Sequence, residues 1–291
     1  MVLIKGVLRL GMLMKGSEVT NAMKGKMIIE VEELKSRGVF PTLAIVRLGE
    51  KPDDLAYERG AIKRCEGVGI RCRVFEFPEN ISTEELISET NKINNDENIH
   101  GILMFRPLPK HIDEEKITRA ISPYKDIDCM NPINMAKVFA GDESGFAPCT
   151  PEAVIEMINH YKIPVEGKNV VIIGRSMVVG KPLSMLLLKK HGTITICHTR
   201  TKKIEEICKR ADILIAAAGK AKIVNKDFVS PGVIVFDVGI NVDSEGKLCG
   251  DVDFDSVVEI AGSITPVPGG VGTVTTSVLA KHVIRAAEEV R

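Results

Sequence analysis

The sequence has no tryptophan and only three tyrosines among 291 residues, which leaves little aromatic surface for stacking nucleic-acid bases. Charge of either sign is not in excess, because 39 lysines and arginines balance 39 aspartates and glutamates. We therefore expect no nucleic-acid partner, since one would have to bind a local basic patch. The chain also lacks any uncharged apolar stretch of about 18 residues, so we expect no membrane-spanning helix and no membrane partner.

Cysteine pairs at metal-binding spacing are missing as well. The seven cysteines are scattered without a CxxC motif, which argues against a zinc site and against a disulfide framework. We expect no metal ion, and a cytoplasmic location fits this use of cysteine. Lys5, Arg9 and Lys15 interrupt the apolar N-terminus and no long apolar core follows, so we interpret it as mature chain rather than a signal peptide.

The composition, 44% hydrophobic and 27% charged, leaves room for two cores. Apolar residues recur at helical spacing over residues 17–37, and Gly38 supplies the stop. Strands are predicted at 42–49, 71–78 and 100–109, with helices at 57–69 and from Ser82, where Glu85 completes a capping box. This alternation predicts an α/β fold with a parallel sheet covered on both faces.

A second unit follows a segment rich in Pro, Gly, Asn and Asp from Tyr124 to Cys149, which we interpret as an interdomain connection. Near-continuous apolar runs at 169–174, 193–198, 212–219 and 233–239 predict a doubly wound sheet. A final helix from about Thr275 to Val290 could return to either domain.

The first of these runs leads into a glycine-rich loop, Gly174 to Gly180, and then into an apolar helix whose opening turn suits Pro182. Glycines at the end of such a strand let a phosphate reach the amides of the helix N-terminus. The spacing, G-x5-G, departs from the usual dinucleotide fingerprint, so the strand–turn–helix context carries the interpretation. A glycine-rich turn in a domain that binds no nucleotide remains the alternative.

The end of the next predicted strand bears on which cofactor would bind. Thr199, Arg200, Lys202 and Lys203 stand where an NAD-preferring site would place a carboxylate. A hydroxyl and cations suit a 2′-phosphate, and Arg175 could add a bidentate partner, so we predict NADP over NAD. The alternative is that these cations form a solvated helix start.

Several motifs lie in order along the chain: KGS (15–17), GILMFRPLP (101–109), KDIDCMNPIN (125–134), PCTP (148–151), GRSMVVGKP (174–182), DVGIN (237–241), GDVDF (250–254) and TPVPGGVGTVTT (265–276). Together they resemble the bifunctional 5,10-methylenetetrahydrofolate dehydrogenase/methenyltetrahydrofolate cyclohydrolase family. The resemblance implies a homodimer with a folate substrate. It also implies an N-terminal α/β folate domain, residues 1–145 plus 275–291, and a Rossmann-type NADP-binding domain, residues 146–274.

The resemblance also implies roles for individual residues. Tyr57 would lie against the folate ring system, Asp128 would hydrogen-bond the pterin, and Lys63 is a retained candidate for catalysis. The NADP site would be lined by Gly174, Arg175, Ser176, Thr199, Arg200 and Ile240, and the floor of the folate cleft by Pro266, Gly269 and Gly270. Structural alternatives are a half-buried Tyr57, an Asp128 that caps the following turn, and a solvated Lys63.

Two departures from the family pattern concern hydrolysis. Ala61 stands where the family carries its cyclohydrolase lysine, and Phe105 replaces the glutamine that assists this lysine. Thr273, where the family usually has proline, is a lesser departure. We expect an NADP-dependent dehydrogenase of one-carbon metabolism with weak or absent cyclohydrolase activity. The alternatives are the full bifunctional enzyme, a non-catalytic folate- or nucleotide-binding protein, and a shikimate-type dehydrogenase.

Overall fold

The protein is described by a computed structural model that covers residues 11–289. The interpretation of the N-terminus as mature chain rests on residues that are mostly outside this range. Val290, the predicted end of the last helix, also lies outside it. None of the helices within residues 11–289 combines the length and the apolar character needed to cross a bilayer.

Helices and strands alternate through both halves of this range. The α-helices are α1 (Gly16–Ser36), α2 (Pro52–Glu66), α3 (Thr83–Asn95), α4 (Glu114–Ala120), α5 (Pro132–Ala140), α6 (Cys149–His160), α7 (Gly180–Lys189), α8 (Ile204–Cys208), α9 (Phe254–Val257) and α10 (Val271–Glu289). The strands are β1 (Met12–Leu13), β2 (Thr42–Leu48), β3 (Arg71–Phe77), β4 (Gly101–Met104), β5 (Asn169–Ile173), β6 (Thr193–Cys197), β7 (Ile213–Ala216), β8 (Ile234–Asp237), β9 (Asn241–Val242), β10 (Leu248–Cys249) and β11 (Ser263–Ile264).

The chain divides into two compact units. The three-stranded unit comprises residues 20–152 and 275–289, and the six-stranded unit comprises residues 11–19 and 153–274. This division differs from the predicted domains in residues 11–19, because β1 pairs with β11 in the six-stranded sheet. It also differs in residues 146–152, which fall in the three-stranded unit.

The three-stranded unit is built on a parallel sheet in the order β3-β2-β4. Every residue of β2 is buried, so both faces of this central strand are covered, as the apolar run predicts. One face packs Ala44 and Val46 against α3 through Leu86 and Ile93. Helix α3 begins with the predicted capping box, in which Ser82 and Glu85 bond each other's backbone N–H groups.

The segment interpreted as an interdomain connection, residues 124–149, contains a helix, α5, and lies within the three-stranded unit. Asn131 caps α5 by accepting from the Ile133 N–H, Pro132 opens its first turn, and Gly141 ends it with φ of 71°. The helix has only nine residues and therefore shows no long periodic run. Its start and stop residues were the available sequence signal.

The six-stranded unit has the parallel order β1-β11-β8-β7-β5-β6, and its strands β5 to β8 are the four predicted ones. The sequence analysis missed β1 and β11, because a two-residue strand shows no alternation. The final helix begins at Val271, four residues before the predicted start at Thr275.

Candidate functional site

The glycine-rich loop in the six-stranded unit joins the end of β5 to α7. Gly174 has φ of 134°, a conformation that other residues rarely adopt, and a Cβ there would overlap the carbonyl oxygen of Ala217. A Cβ on Gly180 would overlap the carbonyl oxygen of Gly174. Only glycine therefore fits at either position, and we call this tightly packed loop, residues 174–180, the cradle.

The start of α7 is suited to an anion. Val179, which precedes the helix, provides no side-chain cap, and the first turn carries no acidic residue. The Ser176 hydroxyl accepts a hydrogen bond from the Val179 N–H at 3.0 Å, which fixes the loop from within. Pro182 lies in the opening turn as predicted. The Lys181 N–H donates to the Ser176 carbonyl oxygen at 3.1 Å and Pro182 has no N–H, so the Gly180 N–H and the helix dipole are what this start offers a phosphate.

Thr199 and Arg200 lie in an exposed turn directly after β6. The turn is held by His198, whose N–H donates to the Thr201 hydroxyl at 2.9 Å and whose Nδ1 accepts from the Arg200 N–H at 3.1 Å. Because β5 and β6 are parallel and adjacent, this turn and the Gly174 loop share one edge of the sheet. The Gly174 N–H donates to the carbonyl oxygen of Cys197 at 2.9 Å.

Ile240 follows β8 at the same carboxyl edge of the sheet, and it is 65% exposed. The loop that carries it is held by Asp251, whose role the sequence analysis missed. The fully buried Asp251 carboxylate accepts from the backbone N–H groups of Gly219 and Lys220 and from the side-chain amide of Asn241. It thus fixes the loops after β7 and β8, and the motifs DVGIN and GDVDF were its only sequence signal.

The glycine-rich turn of residues 266–270 also lies in the six-stranded unit, after β11. Gly269 has φ of 101°, and a Cβ on Gly270 would overlap the carbonyl oxygen of Pro266. The Gly16 N–H donates to the carbonyl oxygen of Gly269 at 2.8 Å. Two motifs far apart in sequence, KGS and TPVPGG, therefore meet.

The remaining site residues lie in the three-stranded unit. Tyr57 projects from α2 and is 39% exposed, and its ring meets that of Phe105 edge-on with 5.7 Å between centroids. Ala61, one helical turn further along, is fully buried. Lys63 is exposed and lies on another side of the helix, as its spacing from Tyr57 predicts.

Asp128 is half-buried, and its Oδ1 accepts from the N–H of Cys149, the first residue of α6, at 2.8 Å. It therefore caps α6 rather than the turn that follows it in sequence. Burial, together with the nearby Cys149 and Asp128, raises the pKa of Tyr57 above its ordinary value. Tyr57 is thus a neutral hydrogen-bonding group near the Asp128 carboxylate.

The sequence analysis also missed a buried pair of ionisable residues, His282 and Glu152, in the same unit as Asp128. His282 of α10 contacts Glu152 of α6, with 2.9 Å between Nε2 and Oε2, and Lys281 lies 3.0 Å from Glu152 Oε1. Burial acts to raise the pKa of Glu152, but the charges of His282 and Lys281 outweigh it and hold this pKa well below its usual range. No local pattern signals a pair 130 residues apart.

The site residues thus form two groups, one in each unit. Within residues 11–289, no three His, Cys, Asp or Glu side chains cluster in a way that could hold a metal ion. The chemistry available is that of a nucleotide cradle in the six-stranded unit and of a carboxylate beside a neutral phenol in the three-stranded unit.

Comparisons with known proteins agree with this arrangement. Residues 14–128 match the family model described as tetrahydrofolate dehydrogenase/cyclohydrolase, catalytic domain, and residues 148–291 match the NAD(P)-binding domain of the same family. The chain is 54% identical over 279 residues to a protein of Clostridium kluyveri named bifunctional protein FolD, covering 96% of this chain and 98% of that one.

Solved structures give the same result. A FolD methylenetetrahydrofolate dehydrogenase/cyclohydrolase from Campylobacter jejuni superposes with a TM-score of 0.93 at 40% identity, covering 95% of this chain and 98% of the other. The Trypanosoma brucei methylenetetrahydrofolate dehydrogenase-cyclohydrolase, solved with NADP and an inhibitor, gives 0.90 at 34% identity, covering 96% and 97%.

Proposed function

Because the chain belongs to the tetrahydrofolate dehydrogenase/cyclohydrolase family, we propose that it oxidises 5,10-methylenetetrahydrofolate with NADP and hydrolyses the methenyl product to 10-formyltetrahydrofolate. Relatives at 51–55% identity over 94–96% of the chain are named bifunctional. They favour the bifunctional enzyme over the weak or absent cyclohydrolase that Ala61 and Phe105 led us to expect. Family membership also argues against the shikimate-type alternative.

The main support for the dehydrogenase activity is the cradle that contains Gly174 and Gly180. Bare backbone after β5, a helix start without acidic side chains, and the exposed Thr199 and Arg200 at the same sheet edge fit a dinucleotide. The cradle and α7 would hold its pyrophosphate, and Arg200 with Thr199 would hold a 2′-phosphate, which supports NADP. Arg175, Ser176 and Ile240 would line the rest of this site.

The oxidation makes modest demands on the protein. When bound, NADP accepts a hydride from the methylene carbon of the substrate. The two nitrogens that flank this carbon take up the developing positive charge, so no protein base is required. The chain's own residues need only position the substrate. Asp128 would bind the pterin and Tyr57 would lie against the ring system, while Pro266, Gly269 and Gly270 would shape the cleft.

Hydrolysis makes larger demands, because water must be activated and protons moved through a tetrahedral intermediate. Ala61 has no ionisable group and is fully buried. Phe105, at the position of the expected glutamine, instead packs an aromatic ring against Tyr57. Lys63, which the motif retains, is exposed on another side of α2 and is not placed to replace the missing lysine. Loss of a general acid or base costs about two to four powers of ten in rate. These residues favour a second candidate function, a dehydrogenase without efficient hydrolysis.

One experiment separates the candidates. Purified protein is mixed with 5,10-methylenetetrahydrofolate and NADP, and NADPH and the methenyl chromophore are followed separately, with NAD as a control. NADPH without methenyl accumulation beyond spontaneous decay supports the bifunctional enzyme. NADPH with accumulating methenyl product supports the second candidate, and binding of both ligands without NADPH would establish a non-catalytic binding protein.

Assembly and domain roles are part of the same proposal. We assign the folate role to residues 1–145 plus 275–291 and the NADP role to residues 146–274. Like the family that the chain resembles, the protein is expected to be a homodimer. Sedimentation equilibrium at micromolar concentration tests this, and a mass near the 31.8 kDa of one chain would contradict it.

A further inference from the structure

His282 lies on α10 with only 1% of its surface exposed, and each of its ring nitrogens faces an acceptor. Nδ1 is 2.8 Å from the carbonyl oxygen of Ile127, and Nε2 is 2.9 Å from Glu152 Oε2. A carbonyl oxygen can only accept, so Nδ1 carries a hydrogen. The other ring nitrogen, Nε2, contacts the Glu152 carboxylate, so the ring is held from both sides. His282 is therefore a buried ring that donates from Nδ1 to the Ile127 carbonyl.

The His282 ring is joined to Asp128 by two short routes. It donates to the carbonyl oxygen of Ile127, the residue directly before Asp128, and so fixes the peptide plane that leads into Asp128. The second route runs from the same carbonyl oxygen through Cys149. The Cys149 thiol donates to that oxygen at 3.4 Å, and the Cys149 N–H donates to Asp128 Oδ1. The 2.8 Å bond from His282 thus ties this peptide to α10.

The backbone at Asp128 needs such an anchor. Cys129, the next residue, has φ of 57°, a left-handed conformation that costs a residue with a side chain about 1–3 kcal/mol. On its far side the segment is held by the buried Asp126 carboxylate, which accepts from the N–H groups of Met130 and Asn131, each at 2.8 Å. Asp128 thus stands on a strained bend clamped at both ends, with His282 at one end.

We propose that His282, through the Ile127 carbonyl, is a positioning residue that aims the Asp128 carboxylate at the pterin. The inference rests on the proposed function, in which Asp128 binds the folate. Glu152 orients the His282 ring through Nε2, and Lys281 lies 3.0 Å from the second oxygen of Glu152. Loss of the His282–Ile127 bond loosens the bend and weakens folate binding while the nucleotide cradle is unchanged.

Two amide variants separate the contacts of His282. In His282→Asn, the amide nitrogen is as many bonds from Cα as Nδ1 is, so it can still donate to Ile127. In His282→Gln, the amide nitrogen matches Nε2, so it can still donate to Glu152 but not to Ile127. The full-length protein and both variants are titrated with tetrahydrofolate and separately with NADP, and KM and kcat are measured with methylenetetrahydrofolate. Thermal unfolding shows whether the two variants lose similar stability.

The expected result is a split between the variants. His282→Gln should raise the Kd for tetrahydrofolate and the KM for methylenetetrahydrofolate by about tenfold, the value of one net hydrogen bond. His282→Asn should stay within about threefold of wild type, and the Kd for NADP should not change in either. Equal folate affinity in the two variants would overturn the positioning role. A wild-type protein that binds no tetrahydrofolate would instead overturn the proposed function, and the inference with it.

Discussion

The Tyr57 ring meets the Phe105 ring edge-on, with 5.7 Å between the centroids and 73° between the planes. This contact holds Tyr57 in place from the strand side, and Phe105 is 8% exposed. Aromatic pairs of this kind add about 0.5–1.5 kcal/mol beyond the burial of their area. Phe105, which stands where the family pattern has a glutamine, therefore packs against Tyr57 beside the candidate folate site.

Restoring the two hydrolytic residues should require both changes together. In Ala61→Lys, a long cation enters a fully buried position, and we expect it to destabilise the protein by about 2 kcal/mol or more. Phe105→Gln makes room and supplies an amide partner. The double variant should hydrolyse methenyltetrahydrofolate about a hundredfold faster than the Ala61→Lys variant, measured by decay of the methenyl chromophore. Equal rates in the two variants would show that hydrolysis does not use a glutamine at position 105.

The cofactor cradle should not tolerate a single methyl group. Gly174→Ala places a Cβ against the Ala217 carbonyl at φ of 134°, so we expect about 2–4 kcal/mol of destabilisation and at least a tenfold loss of NADP affinity. The matched control is Gly25→Ala in α1, where a Cβ meets nothing within 4 Å. That change should stabilise the protein by about 0.5–1 kcal/mol. Calorimetric titration with NADP and urea unfolding measure both effects, and a Gly174→Ala variant with unchanged NADP affinity contradicts the assignment.

Cofactor selection should depend on Arg200. If its guanidinium pairs with the 2′-phosphate, Arg200→Ala raises the KM for NADP by about 10- to 100-fold and leaves the KM for NAD almost unchanged. Arg119→Ala is the control, because the Arg119 guanidinium lies 2.9 Å from Glu115 in an exposed pair on α4 and should matter little. Steady-state kinetics with NADP and with NAD measure the two KM values separately. Equal losses with NADP and NAD would argue for a general structural effect.

The Glu152 pair should make stability depend on pH in one direction. The pKa of Glu152 is lower in the folded protein than in the unfolded chain, so its contribution is complete above about pH 4.5 and is lost as pH falls further. Glu152→Gln should cost about 3 kcal/mol at pH 7, since it leaves His282 without its partner. The difference in unfolding free energy between wild type and this variant should narrow as the pH falls from about 5 to about 3, and urea unfolding measures it. A constant difference would mean that the pKa of Glu152 is the same in the folded protein and in the unfolded chain.

Local features were the predictable part of this protein. The capping box at Ser82 joins residues three apart, and the strands β2, β5, β7 and β8 are near-continuous apolar runs, so both can be detected within a short window. The nucleotide cradle was predictable for the same reason, since Gly174 and Gly180 belong to one loop.

Long-range features were not predictable in this way. Asp251 binds backbone groups about 30 residues away, and His282 pairs with Glu152 across 130 residues. Such contacts are set by packing of elements, not by a period in the sequence. The two-residue strands β1 and β11 are likewise strands only because each has a neighbour to bond.

The pairing of Met12 with Ser263 also sets an order of events during synthesis. A chain that emerges from the ribosome at about 5–20 residues per second can pair β2, β3 and β4 as soon as residues up to 104 are out. The strand β1, although it is made first, has no partner until β11 follows some 250 residues later. Until then β8 keeps an open edge, so a translation product that stops short of Ser263 exposes an unpaired strand of the kind that recruits other chains.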